Sequence, residues 1–162
     1  MRISRFLISA TILLSISSCS KTLLRPIPII NSLLLKTATT HREPSLGNDL
    51  LVTLANKQGK EIIELINIRN GKKIALPGAN KSDAQVISIS VNSDGERMAL
   101  IRQRGSKTEL LIYRRRSGTI QKLELIPQGV PKQVSIDAEG RVLAVQVSRN
   151  GRWDIDLIQV KS

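Results

Sequence analysis

The sequence predicts an all-β fold made of about three copies of one four-stranded meander, behind an N-terminal export segment and a linker. Three observations predict it. Serine-centred segments recur at one spacing: Ser45, Ser90 and Ser135 are each 45 residues apart. Glycine- or Asn-rich turn sequences interrupt the chain every ten residues or so, too often for helices. Between them lie runs of 4–8 residues rich in Ile, Val and Leu, the length and composition of strands.

The second and third copies align without a gap. Asp94-Gly95 falls on Glu139-Gly140, Met98-Ala99-Leu100 on Leu143-Ala144-Val145, and Leu110 on Ile155. The first copy has a turn two residues shorter at Gly47-Asn48-Asp49, after which the offset becomes 47: Leu51 meets Met98, Ile63 meets Leu110 and Leu65 meets Ile112. In the second copy the expected strands are Val86–Val91, Arg97–Arg102, Glu109–Arg114 and Thr119–Leu125. Met98–Ile101 is apolar throughout, as in a strand buried on both faces. A period of 40–50 residues points to propeller blades or another repeat array.

These pieces resemble the TolB-like propeller repeat. Ser90-Val91-Asn92-Ser93-Asp94-Gly95 corresponds to its serine strand and Asp-Gly turn, Met98–Ile101 to its apolar strand, and Leu110–Tyr113 to its third strand. Ser148-Arg149-Asn150-Gly151-Arg152-Trp153-Asp154-Ile155 resembles its hairpin. The resemblance covers about residues 43–160 of a repeat domain at 43–162, with repeats at about 43–80, 86–127 and 131–162, and implies a small bacterial lipoprotein with a short run of TolB-like repeats. It departs from a full TolB, which carries a separate N-terminal domain and six blades.

Residues 1–18 read as a secretory signal. Arg2 and Arg5 give a positive start, Phe6–Ile16 an apolar stretch of eleven residues, and small residues close on Cys19. Eleven is too short for a spanning helix, which needs about 20 apolar residues. Ile16-Ser17-Ser18-Cys19 resembles the bacterial lipobox, which implies an acyl lipid, palmitate among its chains, on Cys19. Cys19 is the only cysteine, so the exported part has no disulfide. The expectation is an exported lipoprotein, membrane-anchored and facing the periplasm or the cell exterior.

Residues 19–42 read as the lipidated N-terminus and linker. Pro26 and Pro28 argue against a regular helix there. Residues 20–32 are expected to be a tether, with a strand or short helix around Leu33. The sharper alternative is an edge strand from Ile27–Ile30 or Leu33–Leu35. His41, alone in a polar segment, is expected to be solvated.

The formal net charge is +12, and only 2 % of residues are aromatic: Phe6, Tyr113 and Trp153. Loss of residues 1–18 removes only two of the 25 Lys and Arg, so the excess survives export. Such a balance favours anionic partners. Export and the scarcity of stacking aromatics argue against nucleic acid. Basic residues concentrate in the second copy, making Arg102, Arg104, Lys107, Arg114, Arg115 and Arg116 the candidates for an anionic contact. The competing reading is a solvated, solubilising face.

No cofactor or metal is expected, because no His, Cys or carboxylate cluster has ligand spacing. The Asp-Gly and Asn-Gly pairs read as turns. Asp154 and Asp156 face one side of a strand, but Arg149 and Arg152 nearby favour an ion-pair cluster over an acid–base pair. Trp153 reads as hairpin packing, an exposed Trp being instead a contact anchor. The expected function is a non-enzymatic protein-binding or scaffold lipoprotein. An anionic lipid or glycan binder is the alternative, and an enzyme with an inter-blade site at Asp154, Asp156 or Glu139 the weakest. The partners expected are the membrane, through the lipid, and an envelope protein of unknown identity. Three blades do not fill a ring of 4–8, and the third copy stops after its third strand. Either a linker strand supplies the missing piece, or a homodimer joins three blades to three.

Overall fold

The computed structural model describes residues 24–36 and 39–160, so Ile16, Ser17, Ser18 and Cys19 lie outside the described residues. One helix and eleven strands follow in order. They are α1 (Pro28–Lys36), β1 (Thr40–Leu46), β2 (Leu50–Lys57), β3 (Lys60–Asn67), β4 (Lys73–Ile74), β5 (Gln85–Val91), β6 (Arg97–Arg104), β7 (Lys107–Arg114), β8 (Thr119–Leu123), β9 (Val130–Ile136), β10 (Val142–Arg149) and β11 (Arg152–Gln159). The strands make three antiparallel meander sheets, β1–β4, β5–β8 and β9–β11. These are the three blades expected from the repeat.

The turns are set by local chemistry. Asn92 Oδ1 accepts the Arg97 amide at 3.0 Å, and its repeat partner Asp137 accepts the amides of Arg141 and Val142. Gly95 and Gly140 follow at φ 71° and 72°, where a side chain would strain the backbone.

The strands alternate between two faces, which decides how blades stack. We call the face toward the following blade the rear and the other the front. The rear of blade 1 (Val52, Leu54, Ile63, Leu65) buries against the front of blade 2 (Met98, Leu100, Leu111, Tyr113, with Ile89 and Val91). The rear of blade 2 (Ala99, Ile101, Leu110, Ile112) buries against Val134, Ile136, Leu143, Val145 and Val147 of blade 3. Each fully buried aliphatic side chain stabilises this stack by about 1.5–3 kcal/mol.

The repeated serines lock the blades together. Ser45 Oγ accepts the Val91 amide at 3.1 Å, and Ser90 Oγ accepts the Ile136 amide at 3.1 Å. The turns repeat the pattern: Asn48 donates to Ser93 O and Ser93 to Ala138 O. The 45-residue period is therefore the period of inter-blade hydrogen bonds as well as of strands.

Three expectations about residues 20–42 are corrected. The segment of Pro28 is a helix, not an extended tether. Pro28 occupies its first position, where a missing N–H costs nothing and φ is already helical. Neither Ile27–Ile30 nor Leu33–Leu35 forms a strand. Ile30, Leu33 and Leu34, spaced for one helix face, lie instead on Leu51, Ile66 and Ile68 at the front of blade 1. His41 is not solvated: it sits in β1 opposite Ala55, and both ring nitrogens are buried without a hydrogen-bond partner.

Candidate binding surfaces

Blade 3 is the last described blade, and its rear has no following blade among the described residues. Pairing of β10 with β11 places Ala144 beside Leu157, Gln146 beside Ile155 and Ser148 beside Trp153 on that face. Gln133 and Ser135 of β9 extend it. Trp153, Ile155 and Leu157 are 57, 65 and 75 % exposed, whereas Leu110 and Ile112, the counterparts of Ile155 and Leu157 in blade 2, are buried. Trp153 is thus an exposed aromatic, correcting the expectation of hairpin packing. Its hairpin turns through Asn150-Gly151 without it, both residues at positive φ.

The outer edge of blade 3 is also open. In blades 1 and 2 the third strand pairs with a fourth, β4 or β8. No described fourth strand pairs with β11. A cleft of about 500 Å³ runs along it, between Leu157 and Gln159 on one side and Glu124–Ile126 on the other.

The six basic candidates do not form one patch. Arg102, Arg104 and Lys107 lie at the β6–β7 hairpin, and Arg114, Arg115 and Arg116 at the opposite end of β7. Five to seven residues of strand separate the two groups, roughly 17–23 Å. Arg102 pairs with Glu109 at 2.9 Å and Arg104 with Asp83 at 2.7 Å. Arg115 pairs with Glu96 and donates to Gly95 O. Arg114 donates to Gln121. Arg114 and Arg116 line a cleft of about 430 Å³ with Arg97, Glu96 and Ser117.

The carboxylates are engaged in structure. Arg149 holds Asp156 through both terminal guanidinium nitrogens and approaches Asp154 at 3.9 Å, and Arg152 pairs with Asp154 at 3.0 Å. The Arg149 hydrogen bonds hold the Asp156 carboxyl below its ordinary range. Glu139 sits in the β9–β10 turn, away from this pair. Among the described residues no three His, Cys, Asp or Glu side chains are grouped to hold a metal ion.

Two polar sites escaped the sequence reading. Arg42 clamps blade 1 to blade 2, forked on Glu61 at 2.7 Å and donating to Val86 O and Ile87 O at 2.8 and 3.0 Å. That bond lowers the Glu61 pKa. Glu64, on the front of blade 1, is pushed up by burial, but hydrogen bonds from Lys73 and Lys57 outweigh this and leave it lowered. One Glu64 oxygen remains buried and unpaired. A carboxylate flanked by apolar positions gives no signal of this in sequence, and Arg42 fell in a segment assigned to linker.

The fold defines a class: propeller-type blades in series, the last described of which presents an apolar face and a strand edge that no described strand pairs with. More particularly, the fold is that of part of a TolB-like β-propeller. TolB from Acinetobacter baumannii matches with a TM-score of 0.56 and 15 % identity, over 72 % of this chain and 29 % of that one. The β-propeller domain of the Trilobed protease from Pyrococcus furiosus, which has an open velcro topology, matches with 0.56 and 13 %, over 75 % and 39 %. This chain therefore spans only about a third of the solved chains it matches. No protein-family model and no curated protein matches it. No helix among the described residues is long and apolar enough to cross a membrane.

Proposed function

We propose that this chain is an exported lipoprotein of the bacterial cell envelope, held to a membrane by a lipid on Cys19, whose β-repeats are a non-enzymatic protein-binding module. The observation that carries the binding role is the open rear of blade 3. Contiguous exposed apolar surface marks an interaction site, and Trp is enriched among interface anchors. The anchor rests on the charged, apolar and small-residue layout of residues 1–19. One acyl chain binds a membrane only marginally, whereas two or more hold stably.

Two experiments test the reading. Growth with a fatty-acid analogue should label the chain, and Cys19→Ala should abolish the label; a labelled variant refutes the anchor. A photo-reactive residue at position 157 should cross-link a protein in intact cells, more strongly than one at exposed position 60 on blade 1. Equal or absent cross-linking at 157 refutes the binding face.

A second reading has one specific observation behind it, the cleft lined by Arg97, Arg114 and Arg116. Such a cleft suits an anionic headgroup or glycan. Reversing Arg114 and Arg116 to Glu should then abolish binding to anionic vesicles, and unchanged binding would sink this alternative.

A further inference from the structure

We infer that the partner on the rear of blade 3 is a second copy of this chain, seated head to tail so that its blade 1 follows blade 3 as blade 2 follows blade 1. This rests on the binding-face reading above and names its occupant.

The argument is continuity with an interface the chain makes twice within itself. At each internal junction a serine hydroxyl on one blade accepts the amide found 46 residues later: Ser45 from Val91, and Ser90 from Ile136. The third serine, Ser135, is exposed and makes no side-chain hydrogen bond among the described residues. The residue that repeats Val91 and Ile136 at the start of the array is Leu46. Val91 and Ile136 are 3 and 8 % exposed in the internal junctions, and Leu46 is 68 % exposed. Among the described residues, the last blade thus carries an unused acceptor and the first an uncovered residue of the complementary kind.

Polar side chains also stand on both terminal faces. Where blade 2 has Leu100 and Leu111 on its front, blade 1 has Thr53 and Glu64, and one Glu64 oxygen is buried without a donor. Where blade 2 has Ile101 on its rear, blade 3 has Gln146; Ser88 is likewise replaced by Gln133. Neither glutamine makes a side-chain hydrogen bond among the described residues. Polar residues therefore interrupt both terminal faces, an acceptor on the front and amide donors on the rear, while the internal junctions have apolar Leu100, Leu111 and Ile101 at three of these four places and, at the fourth, Ser88, whose Oγ accepts the Val134 amide.

Helix α1 occupies part of the seat. It covers Leu51 and Ile66, whose repeat partners Met98 and Tyr113 are buried against the preceding blade. A second copy must displace α1, so the helix competes with self-association. A heterologous contact of this kind closes a ring if the rotation per blade permits and otherwise runs on as an open array.

The test uses the full-length chain, lipid-bearing and detergent-solubilised where the lipid is present, by light scattering across concentration. Wild type should self-associate. Leu157→Arg spoils only the rear and Leu46→Arg only the front. Each variant alone should associate roughly tenfold or more weakly. Mixed one to one they should recover a pair, because one intact front meets one intact rear. That recovery also proves both variants folded. Ile30→Asp, which frees α1, should tighten wild-type association. The inference is overturned if wild type stays monomeric, if Leu46→Arg associates like wild type (a back-to-back contact), if the mixture stays monomeric, or if Ile30→Asp does not tighten association. A monomeric wild type that still cross-links another protein at position 157 would overturn this inference and leave the binding module standing.

Discussion

Arg42 shows how one side chain can join two blades. Its guanidinium satisfies a carboxylate in blade 1 and two carbonyls in blade 2. Hydrogen bonds to charged groups are worth about 1.5–3 kcal/mol. Arg42→Met should therefore lower stability by about 2 kcal/mol, measured as a lower urea midpoint with unchanged slope. The same residue sets a pH dependence. Hydrogen bonds from Arg42 and Arg102 lower the pKa values of Glu61 and Glu109 in the folded state. A lowered folded pKa adds stability above the unfolded value, and that stability is lost as the pH falls through the folded one. The melting temperature should hold from neutral pH down to the ordinary glutamate value of 4.5 and fall below it. In Arg42→Met this acid limb should be shallower, because Glu61 no longer contributes. An acid limb of unchanged steepness would show that Glu61 is not stabilised by Arg42.

At the scale of elements, the turns and α1 carry the informative predictions. Gly47 lies under the turn of blade 2, where a Cβ would stand 2.7 Å from Asn92 O and 2.8 Å from Ser93 O. Those atoms are backbone, so neither can swing aside. Gly47→Ala should cost about 1–3 kcal/mol by overpacking, read by thermal unfolding. A cost near zero would mean that the two turns separate freely. Helix α1 is held differently. Ile30 is its one buried residue, with Leu33 and Leu34 half-buried. Burial of one isoleucine is worth about 1.5–3 kcal/mol, little against the ordering of nine residues. Ile30→Asp should therefore expose the amides of residues 31–36 to fast hydrogen exchange while β2 and β3 keep their protection. Loss of protection in β2 as well would make α1 part of the core rather than a cap.

For the whole molecule, the asymmetry of the two ends is the governing feature. In a repeat array each unit is stabilised by its neighbours, and terminal units need a cap. Blade 1 has α1 over part of its front, and among the described residues blade 3 has no cap over its rear. Trp153 is the only tryptophan and lies on that uncovered face. Its fluorescence at high dilution should be that of a hydrated indole, readily quenched by acrylamide. With rising concentration the emission should shift to shorter wavelength and quenching should fall, in step with the mass measured by scattering. A Trp153 signal insensitive to concentration, with mass rising, would place self-association elsewhere on the molecule. Blade 3 should also be the first to open, seen as faster hydrogen exchange in β11 than in β7.

The sequence by itself determined most of the strands, the turns and the order of the blades. These follow from short-range rules: alternation over a few residues, glycine where φ is positive, and a serine every 45 residues. The expected strand Glu109–Arg114 differs from β7 only by its extension to Lys107, and Met98–Ile101 is buried on both faces as its unbroken apolar run implied. Of the candidate site residues, Cys19 and its flanking motif lie outside the described residues, and the basic side chains were legible as a charge excess but not as two separate ends. What only the tertiary structure decided is whatever depends on the other side of a contact. Pro28 begins a helix because Leu51 and Ile66 offer Ile30 a surface, and His41 and Arg42 join a strand because β2 and blade 2 supply their partners. Ile155 and Leu157 carry the same apolar pattern as Leu110 and Ile112, yet one pair is buried and the other exposed. Side-chain alternation specifies that a face is apolar; only the packing of blades decides whether anything covers it.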